Sequence, residues 1–287
     1  MSDRIEVLKT YKTYVGGKFP RSESGKTYPI KDSSGKVIAN ACRCTRKDVR
    51  DAMLPARSAF GGWSSRSGYN RGQILYRIAE MLEGRKEQFI KELELGGMKS
   101  KAAEEEVDSS IDRLVYFAGW TDKYPQVFGT INPVASQHFN FTSPDPPGVV
   151  AIISTDESPL LSIVSQMAPV IAGGNSCVIL ASETNPLVVV SFGEVLNSSD
   201  VPGGVVNILT GYRKEMLDHL TKHMDVNAVF NSVTDKETRK LIDLNASISV
   251  KRVHHYTVEN WSNEKHENPY LITEFQENKT TWHPSGV

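Results

Sequence analysis

Long runs of apolar residues dominate the second half of the chain. Continuous apolar runs are typical of strands that are buried on both faces, and segments of helical length between them predict parallel pairing. The runs lie at 149–153, 177–180, 205–209 and 228–230, and the predicted helices between them at 158–172, 186–197 and 212–222. A further helix is predicted at 234–244 and a strand at 250–254. This order predicts an α/β fold with a doubly wound parallel sheet.

The first half of the chain has apolar residues at helical spacing. Helices are predicted at 45–63, 70–84 and 101–123, and Thr45 with Asp48 forms a helix-start signal. The acidic run 104–106 is interpreted as a solvated face of the third helix. Two short alternating segments, 11–15 and 37–42, predict a hairpin-like edge before these helices.

The middle and the end of the chain have a more extended pattern. Residues 137–141 alternate like an exposed strand, and the following SPDPP stretch at 143–147 is interpreted as a rigid linker. Residues 273–283 are predicted to form an extended tail.

Composition excludes several classes of partner. The 287 residues carry a formal net charge of −1, which gives no long-range field to attract nucleic acid. We find no apolar run of the roughly 20 residues that span a bilayer, and the opening lacks the apolar core of a secretory signal. Three cysteines, Cys42, Cys44 and Cys177, cannot form a disulfide framework, so we expect a reducing, cytoplasmic setting.

Several motifs occur in an order that resembles one enzyme family. They are YVGGKF, GGWS and NRGQILYRIAEMLEGRKEQF in the first half, and GVVAIIS, MAPVIAGGNSCVILASETNPL and DVPGGVVNILTG in the second. This series resembles the coenzyme domain of the aldehyde dehydrogenase superfamily over about residues 10–245. Together with VKR at 250–252 and the closing NKTTWHPSGV, it most resembles the short, non-catalytic second domain of the two-domain, family-sixteen aldehyde dehydrogenases.

The resemblance implies a Rossmann-like fold and an organisation in four parts. Residues 1–130 would form the N-terminal helical part, 131–142 an oligomerisation strand, 143–250 the Rossmann-like coenzyme domain and 251–287 a C-terminal oligomerisation tail. The catalytic domain of the family is expected to be absent. The implied state is a homo-oligomer or a complex with a catalytic aldehyde dehydrogenase subunit, with neither nucleic acid nor membrane as a partner.

The parts that the family uses for catalysis have no counterpart in this sequence. The last cysteine, Cys177, lies inside an apolar strand and is interpreted as a small hydrophobic residue. The loop after the first strand, where the family places an asparagine oxyanion donor, contains Asp156 and Glu157. An acid–base pair of these two residues is an alternative, but we favour a helix cap, which a serine or aspartate at a helix start provides. The family's general base occurs in a Glu-Leu-Gly-Gly motif, but the matching letters at 94–97 fall in the early helical region, where a helix C-cap explains them.

Coenzyme binding is expected to be weak or absent. Ser182, Glu183 and Gly211 match positions that the family uses beside the coenzyme, and they are our predicted remnant of a cofactor site. The lysine that accompanies this glutamate in the family is Leu180 here. The glycine-containing segment that faces the pyrophosphate is FNSV at 230–233, and the acids at 235 and 237 would repel phosphate. NAD is therefore predicted to bind weakly or not at all.

Three hypotheses of function remain open from the sequence. The first is a non-catalytic structural or oligomerisation subunit of an aldehyde dehydrogenase assembly. The second is an NAD-dependent aldehyde dehydrogenase completed by a partner chain, and the third a small-molecule binding module. His219 and His223 have a spacing that suits a metal, but no third ligand is evident, so we predict solvated histidines and no metal site.

Overall fold

A computed structural model describes residues 7–32 and 34–285 of the chain. Residues 1–6, 33, 286 and 287 lie outside the described residues. The beginning of the predicted N-terminal part (1–130) and the end of the predicted C-terminal tail (251–287) therefore cannot be compared with the structure. The strands are β1 (Thr10–Tyr11), β2 (Thr27–Lys31), β3 (Val37–Cys42), β4 (Thr130–Asn132), β5 (His138–Asp145), β6 (Val149–Ile153), β7 (Ser176–Leu180), β8 (Val206–Leu209), β9 (Val226–Asn231), β10 (Arg252–His255) and β11 (Glu277–Pro284).

Helices alternate with the later strands and dominate the first half. They are α1 (Arg46–Ser64), α2 (Gly68–Glu83), α3 (Lys86–Leu95), α4 (Ser100–Trp120), α5 (Tyr124–Phe128), α6 (Pro159–Ala172), α7 (Leu187–Asn197), α8 (Arg213–Lys222), α9 (Lys236–Ser247) and α10 (Tyr270–Thr273). The sequence did not predict α3 and α5. No helix in the described ranges is both long and apolar enough to cross a bilayer.

The central sheet confirms the predicted doubly wound architecture. Its five strands are parallel in the order β10-β9-β6-β7-β8. Every residue of β6, β7 and β8 is buried, as continuous apolar runs require. One face of the sheet packs on α6 and α7, with α2 and α4 stacked beyond them, and the other face packs on α1, α8 and α9.

The N-terminal strands differ from the predicted hairpin-like edge. β1 pairs in parallel with β3, while β2, which the sequence did not predict, pairs antiparallel to it. Tyr14 then forms a bridge with Ile208, so the segment after β1 adds to the edge of the central sheet. Pairing between distant segments decided this arrangement, and local alternation carried no information about it.

A separate three-stranded sheet forms from β4, β5 and β11 in the order β11-β5-β4, and both of its pairings are antiparallel. The prediction of a linker at 143–147 was wrong for its first three residues. Ser143, Pro144 and Asp145 belong to β5 and pair with β11. The predicted extended tail is confirmed as β11, preceded by the short α10.

Gly193 tests the packing between the N-terminal segment and the central domain. A Cβ added there would lie 2.9 Å from Cβ of Tyr14, which is almost fully buried. We expect Gly193→Ala to lower the free energy of unfolding by about 1–3 kcal/mol in urea denaturation. The helical control Gly61→Ala meets no atom within 4 Å and should raise it by about 0.5–1 kcal/mol. Equal effects of the two substitutions would contradict the predicted contact.

Candidate functional site

The candidate site is the edge of the central sheet where its parallel strands end. Ligands of doubly wound sheets bind outside this carboxyl edge, at the point where the strand order reverses. Here that point lies between β6 and β9, the first and fourth strands of the central sheet in chain order. The predicted residues Ser182, Glu183 and Gly211 follow β7 and β8, so the fold brings them to this edge.

Asp156 is the centre of a hydrogen-bond network at this edge. Its Oδ1 accepts hydrogen bonds from Oγ of Ser182 at 2.8 Å and from the backbone N–H of Glu183 at 2.7 Å. The prediction that Asp156 caps the following helix was therefore wrong. Two short loops meet at this carboxylate, and the tertiary contact replaced the local cap.

Arg213 completes the network from the start of α8. Its Nη2 lies 2.9 Å from Oδ2 of Asp156, and its backbone N–H donates to Oε1 of Glu183 at 2.7 Å. Burial raises the pKa of Asp156, but the charge of Arg213 and the hydrogen bonds from Ser182 and Glu183 outweigh it, so the net pKa is lowered. The carboxylate is thus held ionised between two loops and a helix start.

The start of α6 receives a different carboxylate. Oε1 of Glu106, on α4, accepts from the N–H groups of Leu160 at 2.8 Å and Leu161 at 3.3 Å. Only 3% of Glu106 is exposed, so the predicted solvated face was wrong at this residue. Burial raises the pKa of Glu106, and the two N–H donors partly oppose that shift. Ser158, which precedes the helix, provides no side-chain cap.

The start of α9 is capped as its sequence suggests. Asp235 is the N-cap residue, and its Oδ2 accepts from the N–H of Thr238 at 2.8 Å. In the described part of the chain, the starts of α6, α8 and α9 therefore each receive a carboxylate oxygen of the same protein. Helix N-termini are the groups that bind phosphate at such edges, and one or two of these donors in each helix are already engaged.

Gly211 is required by packing against the N-terminal segment. It has φ of +133°, and a Cβ there would lie 2.9 Å from the backbone nitrogen of Cys44. Ser182 is fully buried, and Glu183 is engaged with Arg213. The fold thus brings the three predicted cofactor residues to one edge, each held by protein atoms, and their role towards a cofactor stays a prediction.

Residues 19–257 match the model of the aldehyde dehydrogenase family. The chain belongs to this family. Over 256 residues it is 31% identical to the cytosolic 10-formyltetrahydrofolate dehydrogenase of Mus musculus, covering 87% of this chain and 28% of that protein. It is 30% identical to the putative aldehyde dehydrogenase DhaS of Bacillus subtilis (strain 168), covering 85% of this chain and 50% of that protein.

Solved structures of the family share the fold. The NAD+ complex of an aldehyde dehydrogenase from Bacillus cereus superposes with a TM-score of 0.81 at 26% identity, covering 85% of this chain and 50% of that one. This chain therefore spans about half, or less, of the length of the relatives and structures it matches.

The cysteines of this aldehyde dehydrogenase family member are all buried. Cys42, Cys44 and Cys177 have at most 1% of their surface exposed. Burial raises the pKa of the Cys44 and Cys177 thiols far above their ordinary value, which disfavours the thiolate that attacks a carbonyl. These side chains are placed as core residues, as the sequence predicts for Cys177.

Other motifs from the sequence occupy structural positions. Gly96 and Gly97 end α3, with φ of +95° at Gly97, which confirms the predicted helix C-cap. His219 is exposed on α8, and Nδ1 of His223 accepts from the N–H of Asp225 at 3.2 Å. Within residues 7–32 and 34–285, no group of three or more His, Cys, Asp or Glu side chains is arranged to hold a metal.

Replacing Asp156 by asparagine tests the network. We expect Asp156→Asn to lower the free energy of unfolding at pH 7 by about 1 kcal/mol, since the side chain is one-third exposed. The folded-state pKa is lowered, so this stabilisation is complete above the unfolded pKa of about 3.9 and is lost as the pH falls through the folded value.

The difference between the native protein and Asp156→Asn should therefore shrink below about pH 4 in urea titrations at several pH values. Asp51→Asn is the control, because Asp51 forms an exposed ion pair with Arg50 and should change stability by less than about 0.5 kcal/mol. A difference that grows on acidification would contradict the assigned ionisation of Asp156.

Proposed function

We propose that this chain is a non-catalytic, aldehyde dehydrogenase-like subunit that serves assembly. The observation that carries the proposal is the supply of the chain's own carboxylates to the helix starts at the carboxyl edge. Glu106, Glu183 and Asp235 accept from the N–H groups of α6, α8 and α9. An edge that is satisfied internally supports a structural role for this domain.

The same edge is a poor receptor for a dinucleotide. A pyrophosphate approaching α8 or α9 would meet the carboxylates of Glu183 and Asp235 in place of free N–H donors, and like charges repel at close range. Arg213 cannot offset this charge freely, because Nη2 is paired with Asp156. The residues therefore do not fit NAD well, and we propose binding that is weak or absent.

The loop after β6 also disfavours aldehyde chemistry. Hydride transfer from an aldehyde needs a nucleophile that adds to the carbonyl and donors that stabilise the resulting oxyanion. The described cysteines are buried, and Asp156 and Glu157 are carboxylates that accept hydrogen bonds when ionised. Loss of one oxyanion donor alone lowers rates by about 10²–10³-fold.

The β4–β5–β11 sheet supplies the surface for assembly. Register places Ile131 beside Phe141, and Phe139 two residues along the same face of β5, so these side chains form an apolar face. Ile131 is 73% exposed and Phe139 47% exposed. Within the described residues, β11 and β4 are edge strands whose outer backbone groups have no strand partner, and such groups pair readily with another chain. We propose a homo-oligomer or a complex with a catalytic aldehyde dehydrogenase.

Calorimetric titration with NAD tests the first half of the proposal. We expect a dissociation constant above about 1 mM, and no NADH absorbance with a panel of aliphatic and aromatic aldehydes. The Bacillus cereus aldehyde dehydrogenase known in complex with NAD+ is the positive control. A low-micromolar constant, or turnover by the purified chain without a partner, would favour the enzyme hypothesis instead.

Substitution on the apolar face of β5 tests the second half. We expect Phe139→Asp to reduce the molar mass in analytical ultracentrifugation, because a buried aspartate destabilises an apolar interface. Tyr69→Asp is the control, since Tyr69 is an exposed aromatic residue on α2, which is not part of this sheet. A monomeric native protein that also fails to bind a catalytic aldehyde dehydrogenase would refute the assembly role. An oligomer unaffected by Phe139→Asp would show that the interface lies on another surface.

A further inference from the structure

A basic groove lies between the first half of α1 and the side of α8. Two adjoining cavities, of about 370 and 640 Å³, share Arg46, Lys47 and His219 in their walls. The cations that line them are Lys26, Arg43, Arg46, Lys47, Arg50 and Lys214. Their combined size is that of a site for a small organic molecule.

The acids in this groove are already paired. Glu23 forms an ion pair with Lys47, and Glu215 forms one with Arg43. Arg50 is paired with Asp51 at the outer side of the helix. The positive charges of the groove are therefore only partly neutralised from within.

Three cations remain for a ligand. Lys26, Arg46 and Lys214 have no acidic group within 4.0 Å in the part of the chain that the structure describes. Lys26 and Lys214 interact electrostatically with Glu215 over a longer distance. His219 and His223 add imidazole groups to the same wall. The groove thus combines excess positive charge with several hydrogen-bond donors in a concave surface.

We propose that this groove binds a phosphate-bearing small molecule. Arginine and lysine bind phosphate by charge-assisted hydrogen bonds, and a phosphate dianion suits several cations around one cavity. The chain as a whole carries a net charge of −1, so the local excess of charge does not extend into a field suited to nucleic acid. The proposal uses none of the residues of the carboxyl-edge network and stands apart from the proposed function.

Calorimetry with inorganic pyrophosphate tests the proposal on the whole chain, in 50 mM NaCl. We expect a dissociation constant below about 1 mM that weakens as the salt concentration rises. Arg46→Ala and Lys214→Ala should each weaken binding about tenfold, because each removes a cation that has no acidic group within 4.0 Å in the described residues. Lys240→Ala is the matched control, an exposed lysine on α9 outside the groove, and should leave the constant unchanged.

Circular dichroism must first show that each variant keeps the native melting temperature. If Arg46→Ala is destabilised, Lys214→Ala alone is used to test binding. Absent binding, or binding that neither substitution weakens, would overturn the assignment. Equal affinity for citrate would show that the groove binds polyanions in general, and it would refute the proposed selectivity for phosphate-bearing molecules. Affinity for a single-stranded oligonucleotide that grows with its length would assign the surface to nucleic acid instead. A positive result for pyrophosphate with none for NAD leaves the proposed function intact.

Discussion

Buried helix starts must receive hydrogen-bond acceptors, and this constraint shapes the carboxyl edge of the central sheet at α6 and α8. The first N–H groups of a helix have no partner within it, and burial without an acceptor is costly. In this chain the acceptors are Glu106 for the buried start of α6 and Glu183 for the partly buried start of α8, while Asp235 caps the exposed start of α9. A domain that satisfies these donors by itself needs no bound anion for its stability.

The three-stranded sheet presents the opposite situation. Its inner strand β5 is paired on both sides, but β11 and β4 leave backbone donors and acceptors without a strand partner in the described chain. Its apolar face, with Ile131 and Phe139, is open to solvent. The helix starts at the carboxyl edge thus have acceptors within the chain, whereas the three-stranded sheet has open edge strands. This contrast supports the proposed assembly role, because open strand edges and exposed apolar side chains provide the free energy for association.

The sequence predicted what depends on local pattern and failed where distant segments meet. Strands β6 to β9 were found because burial on both faces imposes continuous apolar runs. The role of Asp156 was missed because its partners, Ser182 and Arg213, are distant in sequence. Glu106 did leave a signal, since it lies on the helical stripe of buried residues with Arg113, two turns later. Because residues 104 and 105 are also glutamates, the run of three acids was interpreted as a solvated face.

That stripe on α4 connects α6 with the segment that precedes β11. Glu106 caps α6, while Arg113, which is 1% exposed, donates to Oγ of Ser165 within α6 at 2.9 Å. The same guanidinium donates to the carbonyl oxygen of Trp261 at 3.3 Å and lies 3.7 Å from a carboxylate oxygen of Glu267. One helix face therefore holds both the start of α6 and the segment that leads to β11. Because a buried arginine without its acceptors is strongly destabilising, the position of the segment before β11 depends on α4. The helices of the coenzyme domain thus have a structural reason to be retained, independent of any bound dinucleotide.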